Sequence, residues 1–404
     1  MSSQLSLSEQ TNSKIAFFKP FDSFYINPTT RIYHVLLEAM PSVSTVGLDN
    51  HHEFSPVTLS ANLVIFTPFV FLGRDKTSFQ RMVAYLRGNY HIPFTSKVTF
   101  EQCETYYQKF LAFLDRSRAS VLLLCEYDLH ALTSDDFVLS CSRREVDYFL
   151  IAGPELFDLE LHQGNFQDGV ASAADLDVNR VQLGYDFLEE KKHRLVSLPH
   201  VMAVEEFCPE TSIVHAERGR RIGVPGASYL ARRRAVSEVI RRFPREYAAH
   251  LLDQGVLRLA GKIPHARLRQ ECLRSYFRHS IASSRISFTC GSTSGFFVRK
   301  FLEIPAFGAC LCTFDYKCLE NAGFKPDVHY LPVETVEDIS AYVDRLNGKD
   351  FLQHVVDCTA NGWSLVLKTH SAYARYSQLA ETFGRIVAGN FRGSYWEGGR
   401  YSYS

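Results

Sequence analysis

Short, uninterrupted apolar runs set the strongest limit on how this chain folds. "VLLLCEYD" (121–128) and "DYFLIAG" (147–153) are continuous rather than alternating, the pattern of strands buried on both faces. "KIAFFKP" (14–20), "LVIFTPFV" (63–70) and "HRLVSLPH" (193–200) read the same way, with helical patterns at 30–40 and 100–115 between them. A second series starts at "RRIGVPGASY" (220–229) and continues with the helices "ARRRAVSEVIRRF" and "RLRQECLRSYFRHSIASS". The strands "RISFTCGS" (285–292) and "ACLCTF" (309–314) follow, then helices near 334–346 and 350–359 and a last helix at 371–389. Strands alternating with helices predict parallel sheets covered on both faces. Two such blocks predict an α/β protein with two Rossmann-like, doubly wound domains facing across a cleft. The expected division is a disordered lead-in (1–13), a first domain (14–205), a second domain (218–375) and a C-terminal helix and tail (376–404). The Gly-, Ser- and Tyr-rich tail "RGSYWEGGRYSYS" reads as loop.

A chain of 404 residues suits about two domains. Lys plus Arg and Asp plus Glu number 44 each, so the basic excess of a polyanion binder is missing and nucleic acid is not an expected partner. No run approaches the roughly 18 apolar residues of a membrane helix. The polar start "MSSQLSLSEQTNS" lacks a basic-then-apolar leader, so a cytoplasmic location is expected. Cys125, Cys290, Cys310 and Cys312 sit in apolar contexts, as reduced buried thiols do. "CLCTFDYKC" (Cys310, Cys312, Cys318) fits no standard zinc spacing, and no metal site is expected.

The chemistry concentrates in "ISFTCGSTSGFFVRKFLEIPAFGACLCT". A buried strand ends at Cys290 and runs into five small residues, Gly291, Ser292, Thr293, Ser294 and Gly295, which adopt unusual backbone angles and expose amides. A helix after such a loop offers free N–H groups and partial positive charge, so these residues are candidate diphosphate contacts. Arg299 and Lys300 are placed one turn into the helix, within reach of a phosphate. Glu303 is positioned to accept hydrogen bonds from two ribose hydroxyls, and Gly308 lets the helix end pass close to the next strand. The plainer reading is that a Gly/Ser loop is common in α/β proteins, that Arg299 and Lys300 form a solvated face, and that Glu303 pairs with Arg299 at i, i+4.

"VRKFLEIPAFGACLCT" resembles the donor-site helix of GT-B glycosyltransferases, and the resemblance is nearest to the bacterial spore-maturation-protein-like group. "VPGASYLARRR" is similar to that group's Gly-loop with Tyr and then Arg, here Gly226, Tyr229 and Arg232. "KTHSAYARYSQL" is similar to its His before the last helices followed by Arg, here His370 and Arg375. The three motifs occur in the family's order over residues 220 to 380. The resemblance implies a glycosyltransferase in which the second domain binds a nucleotide-sugar donor and the first faces a carbohydrate or other hydroxyl acceptor. It further implies that no metal is required and that the closing helix crosses back to the first domain as a hinge brace. His370 then lies near the donor or holds the C-terminal helices. One departure stands out. Many retaining members carry two acids with seven residues between them; the second is Glu303, and Gly295 occupies the expected place of the first.

The resemblance thins before residue 200, where the candidates come from residue type. Two loops follow strands at the expected cleft edge: 19–31, with Asp22, Tyr25, Asn27, Thr29 and Arg31, and 125–136. In the second, Asp128 and His130 are the candidate bases for an inverting transfer, with Glu126 behind them. The alternative is that Asp128 caps a turn and His130 packs. A retaining transfer would instead draw on Arg232, Arg299 and Lys300 for phosphate stabilisation. The basic segment "RRRAVSEVIRRFPR" (232–245) reads either as a solvated face or as a peripheral contact with an anionic membrane. Rival functions are a nucleotide-sugar epimerase or hydrolase, a non-catalytic nucleotide-sugar or carbohydrate-binding protein, and a DNA-modifying glycosyltransferase.

Overall fold

A computed structural model describes residues 15–19, 28–48, 60–77, 79–80, 98–124, 146–158, 178–214, 218–226, 230–291 and 295–404. The lead-in, Asp22, Tyr25, Asn27, Glu126, Asp128, His130, Tyr229, Ser292, Thr293 and Ser294 lie outside them.

The apolar runs form a six-stranded parallel sheet in the order β2-β1-β3-β4-β5-β6. Its strands are β1 (Ile15–Phe18), β2 (Val43–Val46), β3 (Leu63–Phe66), β4 (Ser120–Leu124), β5 (Tyr148–Ile151) and β6 (Leu195–Ser197). Alternate residues enter two separate cores: Ala16 and Phe18 pack with Phe110 and Phe113, while Ile15 and Phe17 pack with Tyr33 and Leu37. Strand order reverses between β1 and β3, the topology that opens a crevice beyond the strands' carboxyl ends. Helices α1 (Pro28–Glu38), α2 (Phe100–Arg116) and α3 (Val178–Glu190) belong to this part of the chain.

A second parallel sheet runs β10-β9-β8-β7, from β7 (Arg220–Gly223), β8 (Ser284–Phe288), β9 (Cys310–Phe314) and β10 (Leu331–Val333). Its helices are α4 (Leu230–Arg234), α5 (Pro244–Ala260), α6 (Ala266–Ala282), α7 (Lys300–Ala306), α8 (Lys317–Asn321), α9 (Asp338–Arg345), α10 (Lys349–His370) and α11 (Ala372–Val387). All but α11 lie on its two faces, in cores built around Phe301 and Leu311 on one side and Ile286 and Cys310 on the other. Cys310 and Cys312 point into one core and Cys318 into the other, so the three thiols do not converge.

Several boundaries differ from the sequence reading. The run 63–70 stops being strand at Phe66, and Pro68–Gly73 is a 3-10 helix, because proline has no N–H to give a ladder. The basic segment 232–245 is not one helix. After α4 it passes through a π turn (Ala235–Val239) and a 3-10 turn (Ile240–Arg242), and Pro244 then opens α5. Ala235, Val239 and Ile240 are core residues, so this segment has no apolar face to set on a membrane. The helix expected at 350–359 extends to His370. The tail expected to be loop is a hairpin, β11 (Ser394–Glu397) and β12 (Arg400–Tyr403). Gly398 and Gly399 both have positive φ, as a two-residue primed turn requires, and Ser394 and Trp396 alternate inward.

The chain passes between the sheets in 198–208 and again at 370–372, and the two crossings pair. Met202 N donates to His370 O at 2.9 Å, and Ala372 N donates to Met202 O at 2.7 Å. From this junction α11 returns to the first sheet, where Leu379, Phe383 and Ile386 join the core of Phe17 and Tyr33. Trp396 closes the junction: its indole donates to Ser197 O at 2.7 Å and stacks on His370 at 4.9 Å.

Candidate functional site

The loop after β7 must turn sharply at Gly226, whose φ is +101°. A Cβ there would overlap the Lys300 Cε and lie 3.1 Å from both Arg232 Nη1 and Lys300 Nζ. The backbone angle favours glycine, and its open face lets the two cations lie against it. Arg232 is buried, and its Nη2 donates to Thr289 Oγ1 at 2.9 Å and to Cys290 O at 3.2 Å, at the end of β8. A pocket of about 260 Å³ opens beside this group, with Val224, Gly226, Arg232 and Tyr247 in its wall.

Lys300 is half-buried. Desolvation and the neighbouring Arg232 charge push its pKa down, against a smaller opposing pull from Glu303. Two cations held together in a poorly hydrated corner repel one another, and an anion placed between them removes that penalty. Gly226 and Arg232, from one stretch of sequence, and Lys300, from another about seventy residues on, thus converge on one point at the carboxyl ends of β7 and β8.

Arg299 behaves differently. It is the N-cap of α7, and Lys300 is the first helical residue, so neither lies one turn in as the sequence reading had it. Residues 295–299 instead cross to the first domain: Phe296 pairs with Phe157 and Phe297 N donates to Leu156 O at 2.9 Å. Arg299 Nη2 grips both oxygens of Glu206 at 2.8 and 2.6 Å, and its Nη1 pairs with Glu303. Burial pulls the Arg299 pKa down, but the charges of Glu303 and Glu206 more than offset it and the net shift is upward. The i, i+4 pairing weighed for Glu303 is therefore present. Its second oxygen, Oε2, has no hydrogen bond among the described residues.

Gly295 stands at φ +71° with its carbonyl accepting from Asp158 N. That conformation disfavours the acidic side chain expected at this place. Gly308, at φ +83°, ends α7 and would bring a Cβ within 2.7 Å of Arg218 Nη2 and Cys208 Sγ.

His370 is placed in the interior. It is fully buried, shares a 2.9 Å hydrogen bond between Nε2 and Ala322 O, and lies among Trp396, Phe297 and Phe324. Burial pushes its pKa down to about 3. It does not join the Arg232–Lys300 corner; of its two expected roles, holding the C-terminal helices is the one its surroundings match. Arg375 is also fully buried, donating to Gln378 Oε1 at 2.8 Å and His200 O at 3.3 Å, with its guanidinium 5.4 Å from the Trp396 ring.

Sequence reasoning missed His200, Glu206, Arg274 and Tyr316. His200, on the crossing segment, is pushed down to about 3 by desolvation and then by Arg299, Lys300 and Arg375. Arg274 on α6 is lowered by burial and by the charges of Arg31 and Arg299. Tyr316 accepts Gly291 N at 3.3 Å, which ties the small-residue loop to the start of α8. Glu206 lies in a stretch with no strand or helix period, and its partner is 93 residues away, so no local signal marks it. A larger cleft of about 920 Å³ adjoins Tyr316, between Phe157 and Asp158 of the first domain and Asp315 and Lys317 of the second. Among the described residues, no group of three metal-ligating side chains occurs and no helix is long and apolar enough to cross a membrane.

No family model matches the chain, and no curated protein does. Solved structures do. The Anabaena protein HepE, in complex with UDP and glucose, is similar at 9% identity and a TM-score of 0.46, over 92% of this chain and 99% of that one. Sucrose-phosphate synthase from Thermosynechococcus elongatus is similar at 11% identity and a TM-score of 0.45, over 93% and 100%. A glycosyltransferase from Rickettsia africae is similar at 10% identity and a TM-score of 0.41, over 94% and 100%.

Proposed function

We propose that this chain is a GT-B glycosyltransferase that moves a sugar from a nucleotide-activated donor to a hydroxyl acceptor. The observation that carries the reading is the meeting of Arg232 and Lys300 against Gly226 at the carboxyl ends of β7 and β8. In this reading the donor diphosphate lies between the two cations, and the free Oε2 of Glu303 faces the ribose. Arg299 does not contact phosphate; it fixes Glu303 from behind through Glu206.

Transfer breaks the bond between the anomeric carbon and the diphosphate oxygen and forms one to the acceptor oxygen, whose proton leaves to a base. Negative charge grows on the departing nucleotide, and Arg232 and Lys300 are already in place to receive it. Two fixed cations supply this compensation, so the reading carries no resident metal, and EDTA is expected to leave turnover unchanged. The acceptor enters by the cleft beside Tyr316, where acidic and aromatic side chains suit a polyhydroxyl ligand.

The test is a thermal-shift panel of UDP, GDP, CMP and dTDP with their sugar conjugates. A nucleotide at a hundred times its Kd stabilises by about 2.7 kcal/mol, a readable shift. One series is expected to act, and Arg232→Met to abolish its effect. A panel without any shift would remove the donor reading.

A further inference from the structure

The outer face of α5 is unlike any other helix surface described here. Its two acids, Glu246 and Asp253, are seven residues apart and both turn inward to close the open edge of the second sheet. Glu246 accepts Arg221 N at 3.3 Å; Asp253 takes Arg220 at 2.6 Å, Tyr276 at 2.8 Å and Ser280 at 2.5 Å. With the acids spent on β7 and α6, the opposite side of the helix keeps only apolar and basic residues. Leu251, Leu252 and Leu259 stand 53%, 60% and 66% exposed, and Leu268 across the turn to α6 is 50% exposed. Arg245, Arg258 and Lys262 are exposed along the same stripe. The nearest exposed acid on α6, Glu271, comes after Leu268.

We propose that this face docks on an anionic lipid surface. Leucines standing out from a helix pair, flanked by long cationic stems, match what a phospholipid interface offers: apolar depth for the leucines and phosphates for the bases. A second copy of the chain is a poorer match, because a two-fold contact would set the basic stripe against itself. The proposal is separate from the nucleotide site, since none of these residues borders Arg232 or Lys300 in the way Gly226 does.

The experiment is co-sedimentation of the full chain with vesicles of phosphatidylcholine alone and of phosphatidylcholine mixed with phosphatidylglycerol. Binding is expected to the mixed vesicles, weakening as salt is raised. The pairs Leu252→Ser/Leu259→Ser and Arg258→Glu/Lys262→Glu are each expected to weaken it by about tenfold or more. Unchanged melting and unchanged nucleotide shifts in both pairs would confirm that fold and donor site are intact. Equal binding to both vesicle types, or binding to neither, overturns the proposal. So does sedimentation of the lipid-free protein as a dimer that Leu252→Ser/Leu259→Ser dissociates, which would give the face to a second copy.

Discussion

The corner around Arg232 and Lys300 and the junction around His370 and Arg375 come from one set of sequence motifs, yet they handle polarity in opposite ways. At the junction every strong group is closed in. His370 is neutral and bonded through Nε2 to a backbone carbonyl, and Arg375 donates from Nη1 and Nη2 to Gln378 and His200 beside Trp396, while His370 Nδ1 and Arg375 Nε are buried without a hydrogen-bond partner among the described residues. At the corner two cations press on one glycine and remain half-open on the Lys300 side. The first arrangement is sealed off by the fold itself; the second is open to an anion. Residues 299 and 300 carry the same contrast side by side, since Arg299 has two carboxylates and Lys300 has a second cation.

The largest effects should fall on the closed region. Trp396→Ala removes a fully buried indole from between the two crossings, and a loss of about 3 to 5 kcal/mol in denaturant unfolding is expected. Arg299→Met strands Glu206 and Glu303 without their shared cation and should cost a similar amount, about 3 to 5 kcal/mol. A loss below about 1 kcal/mol in both would mean that the closed region is not what holds the domains together.

Lys300→Met reverses the pattern. Removing one of two repelling cations should leave stability unchanged or raise it, while nucleotide affinity falls by about a hundredfold, or about 2.7 kcal/mol. Calorimetric titration with the active nucleotide, beside a melt of the same variant, reads both. A variant that melts early and binds normally would move Lys300 to the structural side of the comparison.

How far the sequence carried follows from the same division. The buried parallel strands were legible because both faces are apolar without interruption. Lys300 and Glu303 were singled out because they follow the small-residue loop that leaves such a strand, and Gly226 and Arg232 through the resemblance of "VPGASYLARRR". Glu206 and His200 were not, because their partners are supplied by the other end of the chain and a crossing segment has no period to read. The hairpin at the C-terminus was hidden by its composition. Its glycines and serines resemble a loop, and the inward alternation of Ser394 and Trp396 covers only two positions. The acids of α5 were invisible for a related reason: a buried carboxylate looks like a surface one until its partner strand is known.

Acid should separate the two regions next. Folded His370 has a pKa of about 3 against an ordinary value near 6.5, so both states are neutral above about pH 6.5. Below that the unfolded chain takes up a proton that the folded chain refuses, and stability falls, down to the folded pKa, by about 1.4 kcal/mol per pH unit. His200 is depressed to the same degree and adds an equal share, so His370→Asn should reduce that slope by about half in melts between about pH 6 and 4. Lys300→Met leaves His370 and its burial in place and should keep most of the wild-type slope, since Lys300 is a lesser cause than desolvation in depressing His200.

The smallest effect concerns Gly295, where the two regions meet: its carbonyl is tied to Asp158 in the first domain, and the small-residue loop leads from it back to Cys290. At φ +71°, alanine there should cost about 1 kcal/mol through backbone strain alone. Gly295→Glu would set a second acid at the spacing from Glu303 that the proposed family carries, but only by forcing that strain onto a residue that cannot relax it without releasing Asp158. If the pair were the missing catalytic element, Gly295→Glu would raise sugar turnover over Gly295→Ala despite equal stability. The expected result is equal stability and no gain, because the strap that positions Arg299 and Lys300 depends on the same backbone turn that excludes the acid.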